Sequence, residues 1–500
     1  MKKIVILLFI CLYVVVTSQF VAQNFNRPAP NDLYNYEYQG MQSGTGNYHL
    51  MTLNKLFVGP ANPAYKNPKP VIFDPNGYIY WYGKFPVNSA LDFKYYPEIN
   101  KYTCTIIAQG NVKSYVFNSD FDIVDTIITF DQQDVHDIQL SSNGNWLIST
   151  AYFDTMDLSS EYFNGVQGST TTVVKGFGYE EQTQSGNFVQ SWNSNDFVSP
   201  NETLDFWGYA PNVFDYCHGN AIEEDEDGNL YLSYRHLNAI HKIDRQTGEI
   251  IWRLGGELSD FSFTNDTGFS GQHDIRILAD GSLSLFDNSN VLENTRGVVY
   301  TLDTVQWTAN KVFEYIHPVG ATSKAMGSYS ITADGEMVLG YGLIYRPMPS
   351  VTMLDANQSI SEEYYFEDSV VTYRALPFDL TALQRPEISC NWNGTNWELS
   401  APNGFSDYQW SNGSSNQSIP ITGVGTYQVW VNQGAGMLGS FPFEVLDVAN
   451  PCALGIEELF VSGTFTYFDL LGHEINDPQF NTVYLKVWES GKVEKIIILE

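Results

Sequence analysis

Basic side chains are scarce in this sequence: 25 Lys and Arg face 57 Asp and Glu in 500 residues, a formal charge of −32. That balance excludes non-specific attraction to nucleic acid or anionic lipid, which needs clustered cations. Charged residues of either sign make up only 16%, which argues against helix bundles and coiled coils. After the first residues there is no long apolar run, so no later stretch is fit to span a membrane. What abounds is aromatic side chain, at 15%, with 40 Gly and 21 Pro. Such a composition predicts many short strands joined by turns and excludes disorder for most of the chain. At about 150 residues per domain the chain is expected to hold two to four units.

Lys2 and Lys3 precede an apolar run over residues 4–16, shorter than the roughly 20 residues of a membrane helix and suited to a secretory signal. Val16 and Ser18 fit the small-residue positions before a cut between Ser18 and Gln19, so residues 1–18 are expected to be a signal peptide and 19–45 an N-terminal segment. Cys11 lies inside the run behind bulky Ile10, unlike a lipoprotein site, which favours release over anchoring. Cysteine is scarce: beyond Cys11 only Cys104, Cys217, Cys390 and Cys452 remain. In an oxidising compartment they are free to pair. Cys390 with Cys452 would bracket one small C-terminal domain and is the favoured pair; buried, unpaired thiols are the alternative.

From 46 to 385 a pattern recurs: an inner strand, a polar turn ending Asn-Gly or Asp-Gly, then an apolar strand. His136-Asp137-Ile138 leads to Asn143-Gly144; His273-Asp274-Ile275 leads to Asp280-Gly281; both place His seven residues before the turn's Asn or Asp. The copy at His218-Gly219-Asn220 reaches Asp227-Gly228 with two extra residues, and the one ending Asp334-Gly335 has Gly327 where His would fall. A faded copy ends at Asn76-Gly77. His218 to His273 spans 55 residues and His273 to Gly327 spans 54, enough for the four strands of a propeller blade. Divided into residues 46–385, that period gives roughly six blades, of which five starts are visible.

Past a linker over residues 380–386, residues 386–447 read as an immunoglobulin-like β-sandwich, with alternating strands at Tyr408-Gln409-Trp410 and around Tyr427-Gln428-Val429-Trp430. Residues 450–500 read as a further small β unit. Its Tyr467-Phe468-Asp469-Leu470-Leu471-Gly472-His473-Glu474-Ile475, with Tyr484-Leu485-Lys486-Val487 and the Lys495-Ile496-Ile497-Ile498 terminus, resembles the C-terminal sorting domain of the bacterial type IX secretion system. That resemblance implies the type IX machinery as partner and a secreted or cell-surface location. The expected fold class is therefore all-β: a six-bladed propeller, a sandwich and a sorting domain.

Histidine is rare, with eight in the chain, yet His136, His218 and His273 head equivalent strands and so are expected to converge at the axis. Arg235, 17 residues after His218 and just beyond a strand, suits the same mouth. Imidazoles beside a guanidinium make an anion site that also holds a nucleophile and proton carriers. A His₃ zinc site is the competing reading, against which Arg235 would repel a cation. The run Glu223-Glu224-Asp225-Glu226-Asp227-Gly228 lacks the ligand spacing of a calcium loop and reads as a solvated turn. Phe206, Trp207, Tyr209, Phe214 and Tyr216 offer flat surfaces for an aryl ring. Asp137 and Asp274, each beside its His, alternate to the opposite face and read as structural.

The run Cys217-His218-Gly219-Asn220-Ala221-Ile222, continuing through Asp227-Gly228-Asn229-Leu230 to Ser233-Tyr234-Arg235, then Thr247-Gly248-Glu249-Ile250-Ile251-Trp252-Arg253-Leu254-Gly255-Gly256 and Gln272-His273-Asp274, resembles bacterial arylsulfate sulfotransferases. The resemblance spans the propeller and is densest over residues 216–290. It implies transfer of a sulfuryl group from a phenolic sulfate ester to a phenolic acceptor, with no nucleotide sulfate donor, cofactor or metal. It places the transiently sulfated histidine at His273, oxygen-gripping residues at His218 and Arg235, a further site histidine at His136, and an additional oxygen ligand at Asn220.

Two other readings compete. A propeller that binds glycans or partners without catalysis would keep the fold but not need the His set. A quinone-dependent dehydrogenase is suggested by Asp244-Arg245-Gln246-Thr247-Gly248-Glu249-Ile250-Ile251-Trp252, which resembles the docking repeat of quinoprotein propellers but occurs once.

Overall fold

The computed structural model describes residues 26–40, 46–55, 66–204, 208–290, 294–380 and 383–452, with the strands Phe465–Phe468, Glu474–Ile475, Val483–Trp488 and Val493–Ile497. The expected signal peptide lies outside the described residues, as do Phe206, Trp207 and much of the sorting motif.

Four of the turns singled out in the sequence do one job. Gly144, Gly228, Gly281 and Gly335 sit at φ of 81–87°, and each donates its N–H to the carbonyl three residues back at 2.8–3.0 Å. That left-handed conformation favours glycine. The turns fold an inner strand onto the next: Gln132–Leu140 onto Trp146–Met156, Gly219–Glu224 onto Leu230–Tyr234, His273–Ile277 onto Leu283–Asp287, and Ser328–Ile331 onto Met337–Gly340. These hairpins open blades 3 to 6 of the ring.

The other two blades explain why only part of the repeat was visible. In blade 2, Ser89–Tyr96 turns onto Lys101–Ala108 with Asn100, at φ 50°, in place of glycine. Asparagine enters the left-handed region more readily than other side chains. Blade 1 has no inner turn, because its inner strand, Ala375–Phe378, comes from the far end of the ring to pair with Tyr48–Lys55. Asn76-Gly77 is a different turn, joining Lys69–Phe73 to the outer strand Ile79–Gly83. The result among the described residues is six sheets, each built on four antiparallel blade strands and three of them extended by further strands, an all-β propeller.

The ring reaches beyond the expected 46–385. Tyr36–Gly40 adds a fifth strand to the outer edge of blade 6, with Tyr36 opposite Phe366. On blade 1, Gly436–Gly439 pairs with the outer strand Ile79–Gly83, and Val429–Gln433 and Tyr408–Trp410 continue the sheet. The sandwich therefore shares a sheet with the propeller instead of hanging from a linker. Arg385, inside that linker, is buried and locks the junction, reaching Asp74 Oδ2 at 2.6 Å and the carbonyls of Gly439 and Ser440 at 2.8 and 2.6 Å. Leu399 and Ile419 from a three-stranded sheet pack on Trp410 and Val429 to form the sandwich core. Cys390 and Cys452 are disulfide-bonded, whereas Cys104 and Cys217 are buried free thiols.

Met1–Val445 form one compact unit and Leu446–Glu500 a second. The described strands of the second make an antiparallel sheet in the order Glu474–Ile475, Phe465–Phe468, Val483–Trp488, Val493–Ile497.

At the axis the inner strands are tied by buried charge. Asp92 of blade 2 accepts the N–H of Ile138 in blade 3 at 3.1 Å, Asp137 of blade 3 that of Ile222 in blade 4 at 2.9 Å, and Asp274 of blade 5 that of Tyr329 in blade 6 at 3.2 Å. Arg374, at the head of the blade 1 inner strand, lies 2.5, 3.1 and 3.2 Å from these three carboxylates. Lys94 and Arg276 complete the cluster, Lys94 bonded to Asp137 and Arg276 2.7 Å from Asp274. Buried carboxylates are tolerated because cations and backbone donors surround them. Asp137 and Asp274 thus hold the inner strands whose preceding residues, His136 and His273, enter the site.

Candidate functional site

The inner-strand heads open on a pocket of about 430 Å³ lined by His136, Asp215, His218, Arg235, His236, His273, Met326 and Tyr373, among others. Four of the sequence-derived site residues therefore meet, although 137 positions separate the first from the last. Asn220 stands apart. It is fully buried on its inner strand, and its Nδ2 donates to the Gln272 carbonyl at 2.7 Å. Reaching from blade 4 to blade 5, it does what the three aspartates do for their neighbours, so the structure gives it a framework place and not one against substrate.

His273 is held in one tautomer. Asn288 Nδ2 donates to the carbonyls of Ser323 and Met326 at 3.0 and 2.9 Å, which leaves its Oδ1 as the acceptor facing His273 Nδ1 at 2.7 Å. A second acceptor, the Gly271 carbonyl, lies 3.0 Å from the same nitrogen. The proton therefore resides on Nδ1 and the lone pair on Nε2, which accepts the Met326 N–H at 3.2 Å. Burial, and then the charge of Arg235, holds the imidazole well below the ordinary histidine range. A neutral, oriented imidazole is a nucleophile.

The other imidazoles are oriented in the same way. His218 sits at φ 46°, a conformation that turns the strand head, and its Nδ1 meets Asp215 Oδ2 at 2.8 Å. His136 Nδ1 bonds Asp134 Oδ1, and its ring centroid lies 5.0 Å from that of His218. His236 stacks on His218 at 4.6 Å, and its Nδ1 meets the Asp215 carbonyl at 2.6 Å. Because a carbonyl only accepts, that nitrogen carries the proton. Burial lowers His218 to about 4 against the opposing pull of Asp215. It is therefore neutral near pH 7 and able to accept a proton.

Behind the imidazoles, Lys175 bridges both carboxylates, 3.5 Å from Asp134 and 3.2 Å from Asp215. Burial would raise each of these acids, but the His partners and Lys175 outweigh it and hold both well below the usual carboxylate range. Removing this cation makes the imidazolium form easier to reach. A Lys175→Met variant is thus expected to move the acid limb of the pH–rate profile upward by about one unit. An unchanged profile would reduce Lys175 to packing.

Asp215, His218 and His236 offer ligand atoms within 4.8 Å of one another. Lys175 already sits on Asp215 and Arg235 lines the same pocket, a field that opposes a dication. Cys217, beside His218, is raised to about 12 by burial and stays a thiol.

Sequence reasoning missed Asp134, Asp215, Lys175, His236, Asn288 and Tyr373. Two left signals. Asn288 follows its blade's second strand as Arg235 does, 15 residues after the His against 17 in the blade with two extra residues. Asp134-x-His136 and Asp215-x-x-His218 are spacings at which an aspartate folds back on its own imidazole. Of the aromatic candidates, Tyr209 and Phe214 wall a neighbouring cavity, whereas Tyr216 is fully buried core.

A family model described as Arylsulfotransferase (ASST) matches residues 113–367. No curated protein matches the chain. Among solved structures, a protein of unknown function from Bacteroides caccae is 9% identical with a TM-score of 0.41, over 67% of this chain and 100% of its own. A catalytically inactive virginiamycin B lyase from Staphylococcus aureus is 13% identical at a TM-score of 0.35, over 73% of this chain and 96% of its own. The periplasmic gluconolactonase of Pseudomonas aeruginosa is 10% identical at 0.36, over 66% and 99%. At such identities the likeness does not extend to chemistry.

Proposed function

Because the chain belongs to the arylsulfotransferase family, we propose that it moves a sulfuryl group from a phenolic sulfate ester to a phenolic acceptor through a sulfohistidine at His273, without a nucleotide sulfate donor. The observation that carries this reading is the fixed Nδ1–H tautomer of a neutral His273 in a pocket shared with Arg235 and three more imidazoles.

In the first half-reaction the Nε2 lone pair of His273 attacks sulfur and displaces the Met326 N–H from that lone pair. The sulfur–aryloxy bond breaks, and the phenolate leaves with the electron pair and takes a proton from solvent. The Arg235 guanidinium stabilises the charge on the sulfuryl oxygens. In the second half-reaction the acceptor's hydroxyl proton passes to His218, whose Nδ1 is bound to Asp215 and whose Nε2 is therefore bare. The acceptor oxygen bonds to sulfur, the N–S bond breaks, and its electron pair returns to Nε2. His218 then releases that proton to solvent, which balances the one the departing phenolate took up, and sulfate ester and phenol have exchanged with no net change of charge.

Arg235→Lys keeps the charge and loses the planar fork. A loss of about thirtyfold in kcat/KM for the donor is expected, the worth of one charge-assisted bond of about 2 kcal/mol. Initial rates against donor concentration measure it, and unchanged kinetics would remove Arg235 from the transition state.

The reading itself is tested by incubating the protein with a chromogenic aryl sulfate, with and without phenol. Expected are acceptor-dependent release of the chromophore and, without acceptor, an intact-mass gain of one sulfuryl group mapping to His273. Silence across several donors would overturn it. Export through a leader at residues 1–18 and the type IX route is part of the proposal, supported by the sequence features described above.

A further inference from the structure

The charged groups around the His pocket come in matched numbers. Among the described residues that line it, the permanently charged side chains are one guanidinium, Arg235, and one carboxylate, Asp215. Behind them stands one more of each sign: Lys175 Nζ lies 3.2 Å from Asp215 Oδ2 and 3.5 Å from Asp134 Oδ2. Beneath the strand heads the axial cluster is matched as well, Asp92, Asp137 and Asp274 against Lys94, Arg276 and Arg374. Glu223, 3.5 Å from Arg276, can only add to the negative side. Lys324, whose carbonyl accepts Arg235 Nη2 at 2.8 Å, is exposed, so its ammonium is screened by water and salt.

Asp215 is fixed in this arrangement as an anion at the cavity wall. Its side chain is 27% exposed; Oδ1 accepts the His218 N–H at 3.1 Å and Oδ2 meets His218 Nδ1 at 2.8 Å. Burial would raise its carboxyl, but the bond from His218 and the charge of Lys175 hold it well below the usual carboxylate range. His218 and His273 bring no compensating charge near pH 7, because burial lowers both. His136 and His236 flank His218 and turn Nδ1 to oxygens of the same network, Asp134 Oδ1 and the Asp215 carbonyl. Tyr373 rests its hydroxyl on the His136 carbonyl at 3.3 Å, and burial holds it far above the ordinary phenol range. An incoming oxyanion therefore meets one guanidinium charge beside one carboxylate.

We infer that Asp215 makes the pocket a filter for singly charged oxyanions, admitting sulfate esters and sulfonates and rejecting the dianions of phosphate esters and phosphonates. A sulfate monoester carries one negative charge and a phosphate monoester about two at neutral pH, on the same tetrahedral frame. Shape cannot separate them, and charge can. The first charge is matched by Arg235. The second meets no cation that Asp215 or Asp134 does not already claim, in a site where burial makes an unmatched charge costly. A dianion can enter only with a proton, carried on its own oxygen or taken up by His218. Leaving the wrong ligand with an unpaired charge is how a site refuses a close likeness of the right one. The filter rests on the anion site of the reading above, but it concerns binding and not transfer.

Isothermal titration of the whole protein with benzenesulfonate and with phenylphosphonate, neither of which has a leaving group to transfer, tests it. The readout is the ratio of the two affinities from about pH 5.5 to about pH 9, which removes any change in the protein that touches both ligands alike. At the acid end the phosphonate is a monoanion, and the two are expected to bind equally. Above its second ionisation each pH unit is expected to cost the phosphonate about tenfold against the sulfonate, so that the gap reaches about a hundredfold by pH 9. Asp215→Asn, nearly isosteric, is expected to narrow that gap at least about tenfold, and circular dichroism with the melting temperature verifies that the variant folds. A ratio flat with pH in the native protein overturns the inference without any variant. A gap unchanged in folded Asp215→Asn, or binding of neither ligand, overturns it too. A His273 adduct from an aryl sulfate beside a flat ratio would leave the transfer reading standing and sink the filter, whereas a pH-dependent ratio in a protein that forms no adduct would do the reverse.

Discussion

His273→Ala is expected to reduce turnover of an aryl sulfate by at least about 10⁴-fold, the scale on which a covalent nucleophile is missed. The residue is nearly sealed from solvent, and its imidazole is neutral, single-tautomer and positioned by Asn288 and the Met326 N–H. Alanine removes the only one of the pocket's imidazoles prepared in that way by a neutral side-chain acceptor among the described residues. Two measurements settle the outcome together: the steady-state rate with phenol, and intact mass after donor alone. Loss of both fits a nucleophile. Retained turnover with an adduct elsewhere would shift the covalent role to another histidine, and retained turnover with no adduct would end the ping-pong route.

The second large effect lies one step behind the nucleophile. Asn288→Leu takes the side-chain acceptor from His273 Nδ1 and leaves the Ser323 and Met326 carbonyls without their donor. Turnover is expected to fall on the order of 10³-fold, by analogy with the cost of disturbing a catalytic histidine's tautomer. Asn288→Asp separates positioning from mere structure. It restores an acceptor for Nδ1, so most of the rate should return at alkaline pH. Its negative charge also favours the imidazolium, so the acid limb, set well below the ordinary histidine range in the native protein, should climb by about one to three units. A pH–rate series on both variants decides the matter; if Leu and Asp behave alike, Asn288 only holds the loop.

How much of this was legible in the sequence follows from what repeats. His136, His218 and His273 announced themselves because each lies in or just before an inner strand and precedes a glycine turn that the fold uses in every blade from the third onward. The blades that break the pattern hid for physical reasons: Asn100 supplies the left-handed turn without glycine, and the first blade takes its inner strand from residues 375–378. Arg374 and Tyr373 reach the axis only through that closure, so no local spacing could place them. Asn220 misled because an amide two residues after a site histidine looks like an oxygen ligand, while its inward turn toward Gln272 is visible only when neighbouring blades are in place. The charge state of His218 was likewise set by burial, a property of the assembled ring.

The sheet common to the first blade and the sandwich has a consequence for how the chain is made. A ring closed by residues 375–378 cannot close during synthesis until nearly all of it has emerged, so pairings distant in sequence come late. Even then the strand Ile79–Gly83, with Trp81 and Tyr82 fully buried in the finished molecule, stays an open apolar edge until Gly436–Gly439 arrives to pair with it. Open edges of that kind recruit strands from other chains. The sandwich thus acts as the ring's own stopper against self-association, and a catalytic fragment cut near residue 385 would carry the whole chemical site and still be the form most prone to aggregate.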